Sequence, residues 1–173
     1  MTDTPRLKIL KEMGNRLRTI SVANGYPYDI FKVLMERVDV KSDEEYPFIV
    51  YYPVDDTEEE TTTSGREARR LNVIVACVDK YEEGSPFNAF EIVDKLAASV
   101  ETCLYRFTTD PHAQTGRPDM SFNCLIATSP TNNGMIVDSF IPYVNKADYP
   151  MITAILGVSF SYHVQRGNKF LFK

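Results

Sequence analysis

Apolar residues in the first segment recur at helical spacing, with Leu7, Leu10, Met13, Leu17 and Ile20 on one side and Lys8, Lys11, Arg16 and Arg18 mostly on the other. Thr4 can cap such a helix, Pro5 fits its first position and Asn24-Gly25 can stop it, so an amphipathic helix is predicted from Thr4 to about Val22. From Tyr28 to Val38 the pattern is mixed, with Ile30, Leu34 and Val38 interleaved with Lys32 and Glu36 on one parity and Phe31, Val33 and Met35 on the other, and it is read as a strand. A second strand is predicted from Tyr46 to Val54, where Phe48-Ile49-Val50-Tyr51-Tyr52 runs between Pro47 and Pro53.

Leu71 to Val78 is a nearly continuous apolar run of strand length, expected to be a central strand covered on both faces or facing another subunit. Ser85-Pro86 then opens a second predicted helix, with Phe90, Val93, Ala97, Val100, Leu104 and Phe107 as its buried stripe and Glu91, Asp94, Lys95 and Glu101 on its wet side. Thr108 to Asp119 is dense in turn formers and reads as a surface loop. Short strands are expected at Ser121 to Thr128 and Gly134 to Val144, with Asn133-Gly134 as the hairpin signal. The last strand, Met151 to Gln165, sets Leu156, Val158, Phe160, Tyr162 and Val164 against Gly157, Ser159, Ser161 and His163. The predicted fold is one α+β domain over residues 1–173, with two amphipathic helices on a mostly antiparallel sheet.

Between Tyr52 and Leu71 the chain changes character. Asp55, Asp56, Glu58, Glu59 and Glu60 precede Thr61-Thr62-Thr63-Ser64-Gly65, and Arg66, Arg69 and Arg70 follow. The order acid, turn, base predicts a projecting hairpin whose limbs attract each other, and these eight charged residues are the candidate interaction site. The alternative is a solvated flexible loop. The loop at 108–119 is a second, lesser candidate.

Composition narrows the chemistry. The net charge of -5 gives no electrostatic reason to bind nucleic acid. The start MTDTPRLKIL lacks the apolar core of a secretory signal, and no stretch nears the roughly 18 apolar residues of a membrane span, so a soluble chain in a reducing cytosol is expected. Cys77, Cys103 and Cys124 are odd in number and widely spaced, and are expected to be reduced and structural. His112 and His163 are the only histidines, and no GxSxG elbow, zinc-type ligand spacing or phosphate-binding glycine loop accompanies them. The acidic run 55–60 lacks the alternating ligands and central Gly of an EF-hand. No catalytic residue, metal or cofactor is therefore expected; His163 with Ser159 and Ser161 is the sole conceivable polar cluster for an enzymatic or small-molecule-binding alternative. Tyrosines cluster at Tyr26, Tyr28, Tyr46, Tyr51 and Tyr52 and again at Tyr143, Tyr149 and Tyr162, as suits either a core border or an interface.

The order of NGYPYDIF, YPFIVYYP, the charged segment, RLNVIVACV, FNAFEIVDKLAASVETCLYRF and ILGVSFSYHV resembles the tail terminator (tail completion) proteins of long-tailed bacteriophages over nearly the whole chain. The resemblance lies in layout, since that family has no invariant catalytic motif. It implies a virion protein, assembled in the host cytoplasm, that forms a ring, sixfold in the family, on the head-proximal end of the tail tube. Its implied partners are other copies of itself, the tube protein and neck or connector proteins, with DNA passing the lumen without specific binding. A head-closure or other head-tail joining adaptor shares the same traits.

Overall fold

The apolar run from Leu71 to Val78 lies at the centre of a five-stranded sheet. The computed structural model describes residues 3–36, 45–61, 65–81, 88–105, 134–145 and 151–165. Among these, α1 (Pro5–Leu17) is followed by a 3-10 turn at Val22–Asn24, β1 (Lys32–Leu34), β2 (Phe48–Thr61), β3 (Arg66–Lys80), α2 (Ala89–Leu104), β4 (Met135–Asn145) and β5 (Met151–Gln165). The sheet order is β1-β2-β3-β5-β4. Only the β1–β2 pair is parallel. The chain is thus α+β, with a mostly antiparallel sheet and, among the described residues, two α-helices. The expected strand at 121–128, the loop at 108–119, Ser85-Pro86, Phe107, His112 and Cys124 lie outside the described residues.

Alternation along β3 decides which face carries the core. Leu71, Val73, Val75 and Cys77 point with Ile152, Ala154, Leu156, Val158 and Phe160 of β5 into one cluster, shared with Ile9, Leu10, Met13 and Leu17 of α1 and Val93, Leu96 and Val100 of α2. The opposite face is not covered to the same degree. There Phe48, Val50 and Val78 form a small second cluster, while Ile74, Ala76 and Ile155 stay half-buried and Ile141 and Tyr143 are exposed. β3 is central as expected; among the described residues the larger core covers one of its faces and the small Phe48, Val50 and Val78 cluster part of the other.

Local boundaries differ from expectation for identifiable reasons. Thr4 Oγ1 accepts from the Leu7 amide at 3.3 Å and starts α1. The helix ends at Leu17 rather than near Val22 because the Thr19 hydroxyl takes the Arg16 carbonyl at 2.7 Å, offering the backbone a non-helical partner. Gly25, at φ 86°, ends the 3-10 turn instead. β1 is three residues long where Tyr28 to Val38 was expected; Val33 alone in it is buried, and Phe31 is 60% exposed. α2 is capped by Asn88, whose Oδ1 accepts from the Glu91 amide at 2.8 Å. Phe90 leaves the stripe: it sits roughly 95° around the helix from the centre of the buried arc and is 60% exposed.

Arg16, expected on the wet side of α1, is buried. Its Nη1 donates to the Leu104 carbonyl at 2.7 Å and its Nε to Glu12 at 3.0 Å, so a cation sits on the negative C-terminal end of α2. Cys103 Sγ donates to the Arg16 carbonyl at 2.8 Å, which ties the two helix ends together. Burial pushes the Cys77 thiol far above its ordinary value, and neither Cys77 nor Cys103 is in a disulfide. A second fixed point is the crossing of α1 over β2, where the buried Tyr51 hydroxyl donates to the Leu10 carbonyl at 3.1 Å. A Cβ on Gly14 would overlap that hydroxyl oxygen.

Gly14→Ala is therefore expected to destabilise by about 1–3 kcal/mol through overpacking, despite the roughly 1 kcal/mol that Ala gains in a helix. In a Tyr51→Phe background, where the clashing oxygen is gone, most of that cost disappears. Denaturant unfolding of the four chains in this cycle measures the coupling.

Candidate interaction surface at the charged end of the sheet

The charged segment continues β2 and β3 beyond the core. Asp56 lies opposite Leu71, Thr57 opposite Arg70, Glu58 opposite Arg69 and Glu60 opposite Ala68, with register shifts at Pro53/Asp55 and Glu58/Glu60. The basic limb is not free on its outer side. Arg66 to Arg70 pair with Gln165 to Ser161 of β5, so this end is three strands wide rather than a free-standing hairpin. That is the main departure from the expected arm. Fifteen residues of β3 share one register with β5, and the pairing that holds the core runs on into the charges.

Strand pleat then sorts the eight candidate residues onto two faces. On the helix face, Arg69 Nε donates to Asp56 Oδ1 at 3.0 Å, its Nη2 to the Asp56 carbonyl at 2.8 Å and its Nη1 to Glu67 Oε2 at 3.3 Å. The Tyr162 hydroxyl reaches both Asp56 oxygens at 2.8 and 2.9 Å. Arg6 of α1 adds an ion pair to Asp56 at 3.5 Å. Burial alone would lower the Arg69 pKa; the bond to Asp56 and its charge outweigh that and raise it. Burial first, then the bond to Asp56, pushes the Tyr162 phenol well above its ordinary value, so it stays a donor. Arg6, Asp56, Arg69 and Tyr162 border a recess of about 180 Å³ with Thr4, Pro5 and Val164. Its lining sets one acid, Asp56, between two bases, Arg69 and Arg6, and Glu67, outside the lining, pairs with Arg69.

The other face carries a polar row crossing four strands. Asn72 Nδ2 donates to Asp55 Oδ1 at 2.7 Å, and the Ser159 hydroxyl is bonded to Asn72 Oδ1 at 2.7 Å and to Asp138 of β4. Nearby, Arg70 pairs with Glu59 at 2.7 Å. Glu58 and Arg66 are exposed, and Glu60 is placed by its backbone opposite Ala68. Ser159 and Ser161 are buried, and His163 makes no hydrogen bond to either among the described residues, so the three do not form a dyad. Among the described residues no group of three or more His, Cys, Asp or Glu is placed to hold a metal ion.

No family model matches this chain, and no curated protein matches its sequence. Function is therefore argued from the residues themselves. Tyr162, Arg6, Glu67, Asn72, Ser159 and Asp138 belong to the charged end although they were not among the expected residues. The parity of β5 already placed Tyr162 with the apolar face; what was missing was the register that sets it opposite Arg69.

At the far end of β3, burial raises the Asp79 carboxyl above its ordinary 3.8, with the Lys80 amide bond opposing that in part. A raised carboxyl favours the fold most when protonated, so its contribution falls as pH climbs from about 3.8 through the folded value. Asp79→Asn is expected to be more stable than the native chain at pH 7, the difference closing below about pH 3.8, as thermal unfolding across pH will show. Arg69→Met, which removes the shared cation from Glu67 and from Asp56 and leaves Asp56 with Tyr162 and Arg6, should cost about 2–4 kcal/mol. Arg70→Met, whose pair with Glu59 is partly exposed, should cost less, about 1 kcal/mol, with both variants compared by urea unfolding.

Proposed function

We propose that this chain is the tail terminator of a long-tailed bacteriophage. In this role it forms a ring at the head-proximal end of the tail tube, ends tube growth and presents a surface to the neck. It performs no catalysis and acts in the virion. The observation that supports this most is the charged end of the sheet. Arg66 to Arg70 are fixed in register by β5, and Asp55 to Thr61 by pairing with β3, so a partner meets a preformed charge pattern and little ordering entropy is lost on docking. The order of elements around that end adds to it, being the order on which the resemblance to terminators rests. A protein whose work is docking needs outward charge on a rigid support, and exposed Glu58, Glu59 and Arg66 provide it. No helix among the described residues is long and apolar enough to cross a membrane, which suits a protein met in the virion.

The direct test is cosedimentation with tail tubes polymerised from the tube protein of the same virus, set beside portal-bearing heads. The terminator role predicts binding to tube ends, arrest of tube elongation, and an affinity about tenfold or more lower for Glu58→Lys/Glu59→Lys. Binding to heads and not to tubes would assign the chain to head closure instead. Binding to neither would reject the proposal.

A further inference from the structure

The two helices carry opposite charge. α1 holds Arg6, Lys8, Lys11 and Arg16 against one acid, Glu12, and exposed Arg18 follows it. α2 holds Glu91, Asp94 and Glu101 against one base, Lys95. Some of this charge is used internally: Arg16 is buried on the end of α2, and Lys95 pairs with Glu91 at 2.9 Å. What faces solvent is Lys11, which also pairs with Asp3 at 2.6 Å, Arg6, which pairs with Asp56, and Arg18 at the end of α1, with Asp94 and Glu101 on α2.

The acids of α2 border a particular shape. Between α2 and β4 runs an open groove of about 260 Å³, with Ala97, Val137 and Phe140 as apolar surface and Asp94 and Glu101 as acids; Asp138 also borders it, with its carboxylate bonded to Ser159 on the other face. Among the described residues no basic side chain lines it. An apolar floor with an acidic border suits a Lys or Arg side chain, whose stem packs on Ala97 and Phe140 while its head meets the carboxylates.

Such side chains lie on the opposite flank of the same molecule. α1 crosses β2 at Tyr51 and touches β1, whereas α2 lies on β5 and β4. In the order β1-β2-β3-β5-β4 the two edge strands are four spacings apart, roughly 19 Å. One molecule cannot fill its own groove with its own basic helix; a second copy can.

We propose that the α2–β4 groove docks the basic outer face of α1 from another copy of this chain, head to tail. Because the two surfaces differ and lie on opposite flanks, the contact is heterologous and repeats from copy to copy until it closes into a ring. This rests on the ring of the proposed function and names the surfaces that would build it. Contacts of this kind are screened, so association should weaken about tenfold or more between low and high salt.

A charge exchange tests it by sedimentation velocity on the full chain. The native chain is expected to self-associate at low salt. Asp94→Lys/Glu101→Lys should be monomeric, with groove and α1 both basic, and so should Lys11→Glu/Arg18→Glu, with both acidic. Mixed in equal amounts, the two variants should recover association, since each groove then meets an α1 of opposite charge. That recovery also shows both variants to be folded. A native chain that remains monomeric, single variants that associate like it, or a mixture that fails to recover while both variants unfold as cooperatively as the native chain overturns the inference. Tube capping is read separately. Variants that still associate and still cap tubes reject this contact and leave the terminator role standing, while a native chain that associates but ignores tubes rejects the role and leaves the contact.

Discussion

Everything in this protein hangs on β3 being paired along its whole length on the β5 side, from Arg66 opposite Gln165 to Lys80 opposite Met151, with β2 on its other side. One strand therefore carries two chemistries in a single register. Its apolar half, Leu71 to Val78, organises the core, and its basic half, Arg66 to Arg70, inherits the same geometry. A polar segment of this composition would gain little by folding alone, because it has too little apolar surface to offset the entropy of ordering it. Attached to a strand already flanked by two others, it is ordered by propagation. The interior of its helix face is then completed by Asp56, Arg69 and Tyr162, whose mutual bonds replace the water they give up.

The helix layer follows from the same sheet. α1 is held down at Tyr51 and Gly14, where the absence of a side chain lets the phenol reach the Leu10 carbonyl. α2 is held to α1 at its last turn, where Arg16 neutralises the carbonyl end of the helix. Arg6 then links the start of α1 to Asp56, so the charged end of the sheet and the helix layer form one connected polar and apolar structure. What remains on the outside is charge of separate kinds in separate places: acidic beside α2 and β4, basic on α1, and mixed at the end of β2 and β3. For a protein proposed to work by assembly, such a division gives orientation and partner choice more than raw affinity.

Much of this was legible from the order of residues. Period-two alternation located β5 at both ends, because a strand with one buried face must alternate, and the Asn133-Gly134 turn signal placed β4 to within a residue. Capping chemistry located the start of α1 at Thr4. What could not be read is what depends on register between distant strands. Arg16 looked like a solvated base since nothing in its own segment reveals the carbonyl of Leu104, eighty-eight residues away, that receives it. Asp55 and Asp56, adjacent in sequence, looked like one acidic patch, yet they point to opposite faces and serve different networks. The acid-turn-base order showed which limbs attract; the third strand flanking the basic limb came from β5, almost a hundred residues later.

The central claim is that Arg66 to Arg70 form a strand of the sheet and not a free arm, and amide hydrogen exchange in the native protein tests it most directly. The account predicts that the amides of this stretch bonded to β2 or β5 exchange slowly, with protection approaching that of Leu71 to Val78. Exchange of Arg66 to Arg70 at the rate of an unstructured peptide, beside a protected Leu71 to Val78, would contradict it.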